Sequence, residues 1–134
     1  MKADIFTLCD AATISLDGKL NILGSYDTIW AAEAPVTMPL CCLAAKLRFM
    51  PDEEGAKSTR LSFIDSDGKS IIQPIEGTIT VQVPAPESSA SLPLTWMAQQ
   101  LTLPDFGEYA VVLTVDGQES NAPLYVKQLP SQQS

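Results

Sequence analysis

Histidine is absent from this chain. That removes the commonest general acid–base side chain and every Ser-His-Asp or Cys-His nucleophilic relay. It also leaves a zinc site without imidazole, so three cysteines would have to supply most of a four-ligand set. They are badly placed for it. Cys41 and Cys42 are neighbours in an apparent strand and point to opposite faces, while Cys9 stands alone. An odd number of thiols with no export signal is expected to stay reduced and to pack as small apolar side chains. Basic residues are scarce as well. Eight Lys and Arg face sixteen Asp and Glu, and the net charge of −8 repels phosphate backbones, so nucleic acid is excluded as a partner. No run reaches the ~18 to 20 apolar residues that cross a bilayer. The opening Met1–Asp10 segment carries Asp4 and Asp10 where a secretory signal needs an uncharged run. A cytoplasmic chain with no membrane contact is the expectation. Glycine-rich phosphate loops of the Gly-x-Gly-x-x-Gly or Walker type are missing too, so no nucleotide or other cofactor is expected.

What remains is globular in character. The chain of 134 residues is 46% hydrophobic and 18% charged, a balance that folds rather than staying disordered. Its length fits one domain, placed over 1–127, with a polar tail over 128–134. Alternation dominates the patterning. Cys41, Leu43, Ala45, Leu47 and Phe49 recur at period 2, with Lys46 and Arg48 on the other face as a solvated surface. Similar runs occur around Ile5–Cys9 and Ala11–Leu16, with a bulge near Asp10, and from Leu20 to Ile29 or Trp30, where Gly24 marks a bulge or a close backbone approach. Others hold Leu61 and Phe63, then Ile71 and Ile72 as a return strand, then Ile79, Val81 and Val83. Leu92, Leu94 and Trp96 alternate next, with Pro93 assigning that strand to an edge or marking a bulge. Asp-Gly pairs at Asp17-Gly18, Asp67-Gly68 and Asp116-Gly117 supply hairpin turns. Eight or nine short strands with turn signals every ~8 to 12 residues predict an all-β sandwich or barrel.

The segment from Asp105 to Lys127 is the most informative. Tyr109, Val111, Leu113 and Val115 share one strand face, and a turn follows at Asp116-Gly117. Loops of two or four residues both return Leu124 and Val126 to that face, whereas a three-residue loop would turn Tyr125 and Lys127 inward. Asp105-Phe106-Gly107-Glu108-Tyr109 fits Asp-x-Gly-x-Tyr, the tyrosine corner of immunoglobulin-like sandwiches, in which the hydroxyl bonds back to upstream backbone. An ordinary loop ending in one aromatic is the competing reading; the late position and the following hairpin favour the corner. Where such domains place a cysteine two residues after the tyrosine, this chain has Val111. The expected fold is therefore an immunoglobulin-like antiparallel β-sandwich with no disulfide.

Ala3-Asp4-Ile5-Phe6, Leu8-Cys9-Asp10, Gly18-Lys19-Leu20-Asn21-Ile22-Leu23-Gly24 and the following Asp27 resemble the opening of a family of small bacterial proteins of uncharacterised function. The likeness extends to Asp67-Gly68, Gly107-x-Tyr109 and Asp116-Gly117, and Gly-Lys-Leu-Asn-Ile-Leu-Gly is its most specific part. It implies an immunoglobulin-like β-sandwich and carries no catalytic residues to transfer.

Among candidate sites, Asp65-Ser66-Asp67-Gly68 resembles half of an acidic calcium loop, but the bidentate glutamate of an EF-hand is missing and Glu76 falls at the wrong spacing. A hairpin turn is the better reading of Asp65 and Asp67. Trp30, near a loop, is a candidate interface anchor, and Trp96 is assigned to the core. The sequence thus points to a protein without catalytic activity that works by protein–protein contact or self-association. A sandwich that binds a small ligand or calcium is the alternative.

Overall fold

The computed structural model describes residues 1–130. Among these, nine strands follow in order: β1 (Lys2–Ile14), β2 (Leu20–Tyr26), β3 (Thr28–Ala31), β4 (Val36–Phe49), β5 (Gly55–Asp65), β6 (Ile75–Val81), β7 (Ala90–Leu103), β8 (Gly107–Val115) and β9 (Gln118–Gln128). A single 3-10 turn at Pro51–Glu53 is the one helical element among the described residues. The strands form a four-stranded sheet ordered β2-β1-β4-β7 (sheet A) and a five-stranded sheet ordered β3-β9-β8-β5-β6 (sheet B).

The alternating residues explain why two sheets stack. Leu43, Ala45, Leu47 and Phe49 of β4 share one buried cluster with Leu61 and Phe63 of β5, Val111 and Leu113 of β8, and Leu124 and Val126 of β9. Both inner faces therefore contribute to a single core, as in a sandwich. All three thiols are free and buried. The β8–β9 hairpin pairs Val115 with Gln118, which settles the loop at two residues. Asp116 and Gly117 both take positive φ (46° and 83°), as a primed turn requires. Asp116 fits that strained position because its Oδ1 accepts the Ser58 N–H at 2.8 Å.

Several elements differ from the sequence reading. The strands are not uniformly short: β1, β4 and β7 span 13, 14 and 14 residues. They are not uniformly antiparallel either, since β3 runs parallel to β9, pairing Ile29 with Val126 and Trp30 with Lys127. The apparent single run from Leu20 to Trp30 is cut at Asp27, so that β2 lies in sheet A and β3 in sheet B. Asp27 holds the crossing by accepting the Tyr125 N–H at 2.7 Å. Ile71 and Ile72 belong to no strand; Ser70 makes one bridge to Ile64, and β6 begins after Pro74. Of the tail expected over 128–134, Gln128 closes β9 and Leu129 N–H bonds the Ala31 carbonyl; the part from 131 onward lies outside the described residues.

Two kinks change which side chains face inward. In β7, Gln99 and Gln100 are both exposed and Leu101 is buried, although the pairing with β4 keeps one register throughout. Gln100 adopts φ 54°, a left-handed conformation that turns the chain over. Opposite it, Pro39 and Leu40 are likewise both exposed. The second kink lies where Asp10 faces Gly24, whose φ is 70°. It lets Cys9 and Ala12, three residues apart, join one cluster.

Candidate interaction surface

The sequence-chosen residues lie on or beside four strands, β3, β5, β7 and β8. Tyr109 is buried at the entry of β8; its hydroxyl donates to the Asp105 carbonyl at 2.7 Å and accepts the Asp105 N–H at 3.1 Å. The Gly107 between them takes φ 139°, where a side chain is strained. This is a local clasp that fixes the loop entering β8. Replacing Tyr109 by phenylalanine keeps the ring and deletes both bonds, so we expect a loss of about 1 to 1.5 kcal/mol in urea unfolding. An unchanged midpoint would show that the loop holds itself.

Trp30 sits on β3 with 53% of its surface exposed, and Lys127 Nζ lies 5.4 Å from its ring centroid. Trp96 packs against the core from β7 and is half-buried. Asp65 is occupied as a turn former: its Oδ1 accepts the N–H groups of Asp67 and Lys69, each at 2.9 Å. No group of three or more His, Cys, Asp or Glu gathers into a metal-binding arrangement among the described residues. The surface recesses among the described residues include open hollows. One of about 510 Å3, lined by Glu54, Gly55, Thr80, Val81, Gln82 and Pro84, is a broad open hollow, unlike the enclosed apolar sites that bury most of a ligand.

What the sequence reading missed lies on the outer face of sheet A. Cys9 of β1 stands directly across from Cys42 of β4, and with Ala44 they form a second small cluster, fully buried on the side away from the main core. Ala12 and Leu20, from the β1–β2 hairpin, pack onto it. The hairpin thus curls over the outer face and covers the thiols. Burial, reinforced by the neighbouring Cys42, pushes the Cys9 thiol up to about 12. Burial likewise raises Cys41, partly offset by the Tyr26 hydroxyl that donates to its sulfur at 3.5 Å. Such thiols remain protonated at neutral pH and act as packing groups, since reactivity belongs to the thiolate.

Around this small cluster the apolar surface is left open. Met97 of β7, the cross-strand partner of Cys42, is 62% exposed, and Leu40, two residues before Cys42, is 41% exposed. On the hairpin, Ile14 and Ile22 pair with Leu20 and Ala12, share their face, and are themselves exposed. Leu16 stands free at the turn. Charge collects at the other end of the face, where Arg48 bonds Asp4 at 2.8 Å and Ser89 at 2.9 Å. An apolar patch with a charged border has the makeup of a protein-binding surface. No helix among the described residues is long and apolar enough to cross a membrane.

A protein-family model described as a family of unknown function matches residues 4–127. No curated protein matches the chain.

Proposed function

Because the chain belongs to this family of unknown function (DUF6941), its role has to come from its own surfaces, and we propose that it is a non-catalytic module for protein–protein contact or assembly. The observation that carries this is the exposed apolar group of Ile14, Ile22, Leu40 and Met97 around the capped Cys9–Cys42 cluster. Scattered apolar side chains are ordinary on a surface, but a contiguous set is not. The absence of histidine and the protonated, covered thiols argue against acid–base or nucleophilic chemistry. They also suit a reducing compartment such as the cytoplasm. An immunoglobulin-like arrangement is supported by β3 lying parallel beside the last strand and by the Tyr109 clasp at the start of β8.

The test is a pair of charges placed on the patch. Leu40→Lys with Met97→Lys changes two exposed positions, so the variant is expected to fold with a midpoint close to the parent. Its crosslinked partners, its own copies included, should fall by about tenfold or more as apolar contact area is lost. Unchanged crosslinking in the folded double variant would end this reading.

A further inference from the structure

We propose that the occupant of sheet A's open side is a second copy of this chain, joined through the free edge of β7 so that two four-stranded sheets become one. The proposal rests on the assembly reading and gives it a specific partner and contact.

Three features of β7 carry it. First, the edge is open: β7 ends sheet A and pairs only with β4 among the described residues. Second, its inner side chains are not fully covered. Leu43, Ala45 and Leu47 of β4 are buried, whereas Leu92, Leu94, Trp96 and Ala98 beside them on β7 are only half-buried. A further strand alongside would cover the side chains that β4 and sheet B leave bare. Third, the strand carries no charge. Between Glu87 and Asp105 there is no Asp, Glu, Lys or Arg, in a chain whose net charge is −8. Edge strands are ordinarily guarded by charged side chains, and only Pro93 interrupts this one.

The missing charge is also what selects a second copy. In a two-fold antiparallel contact each residue meets residues of the same strand, so any charge near the axis faces its own sign. An uncharged edge is complementary to itself. The other three edges fit less well. β6 carries Glu76, β3 has four residues, and β2 is half the length of β7 and bent at Gly24. Pairing confined to the segment before the Gln100 kink keeps Leu92, Leu94, Trp96 and Ala98 on the inner side in both copies. It also brings the two Met97 and Leu40 patches onto one continuous outer face.

The experiment follows the mass of the full chain by sedimentation against concentration, at low and high salt. Mass should rise toward a dimer with concentration, and more readily at high salt, which screens the repulsion between two acidic copies. Backbone amides of Leu92–Gln99 should gain protection from hydrogen exchange in the concentrated sample. Thr95→Lys, near the middle of the paired segment, should weaken the dimer by about tenfold, because the like charges fall close together across the axis; Gln99→Lys, at an exposed side chain at the end of the segment, is the second edge variant. A dimer that persists in both folded edge variants, with protection gained elsewhere, would overturn the β7 contact and leave the assembly reading in place. A chain that stays monomeric throughout would overturn self-pairing. In that case the crosslinking of the Leu40 and Met97 variant decides separately whether the apolar patch serves another protein.

Discussion

Phe49→Ala is expected to lower the stability of the folded chain by about 3 to 5 kcal/mol, the range for deleting a fully buried aromatic ring. Phe49 closes β4 and is among the largest completely buried side chains of the core. It also borders a surface recess of about 230 Å3 lined by Val81, Ala90 and Leu92. Removing the ring joins the new void to that recess instead of letting the walls collapse, which puts the cost toward the upper end. Domains of this size hold only about 5 to 15 kcal/mol in all, so the variant is expected to unfold well below the parent in both urea and heat. Phe49→Leu, which keeps most of the volume, should cost about 1.5 kcal/mol or less. Equal midpoints for the parent and the alanine variant would mean that the ends of the two sheets do not meet as described.

The second large effect belongs to a glycine. A Cβ built on Gly24 would lie 2.3 Å from Asp10 Oδ2 and 2.8 Å from its Cγ, and the residue has φ 70°. Gly24→Ala therefore combines a left-handed backbone penalty with displacement of the Asp10 side chain, together about 2 to 3 kcal/mol. Gly18 provides the control. Its φ is 81° with nothing within 4 Å of an added Cβ, so Gly18→Ala should cost only the backbone term, about 1 kcal/mol. Asp10→Ala combined with Gly24→Ala should recover part of the difference, because the two side chains compete for one space. If the two alanine variants were equally destabilised, the close approach at Asp10 would have no energetic weight.

The elements that could be read from the sequence are those whose cause is local. The β8–β9 hairpin is legible because Tyr109, Val111, Leu113 and Val115 alternate strictly and Asp116-Gly117 can adopt positive φ; only the choice between two even loops needed the structure. Gly24 signalled a bulge or a close backbone approach because a glycine inside an apolar strand needs a local reason, and the structure has a kink there with the Asp10 side chain against it. Pro93 marked an edge or a bulge for an equally local reason, and β7 is an edge strand. By contrast, the crossing at Asp27 left no trace in the pattern, since Leu20 to Trp30 contains neither proline nor a turn pair. It is fixed instead by a hydrogen bond from the distant Tyr125 N–H, on β9. The kink at Gln100 is similarly silent, because glutamine has no preference for left-handed backbone and only Pro39 across from it hints at irregularity. Ile71 and Ile72 misled for the opposite reason: an apolar pair after a turn looks like a returning strand, and Pro74 delays pairing until Ile75.

The apolar outer face was hidden in a different way. Leu40, Met97, Ile14 and Ile22 are ordinary residues when read along the chain. Only the pairing of Cys9 with Cys42 and of Cys42 with Met97 brings them together, and cross-strand register is not encoded in any one segment. One signal was available. The uncharged stretch between Glu87 and Asp105 is unusual in so acidic a chain, and an edge strand without charge is a feature that composition alone can reveal.

The parallel pairing of β3 with β9 has a consequence for how the molecule comes into being. As the polypeptide leaves the ribosome, β3 emerges well before β9 and has no partner until that strand has been synthesised. Sheet B cannot be finished before β9 emerges, and its apolar margin stays in contact with the surrounding solution until then. Pairings between such distant segments fold in milliseconds to seconds rather than microseconds. The nascent chain therefore passes through a period in which sticking to a neighbour competes with closing on itself.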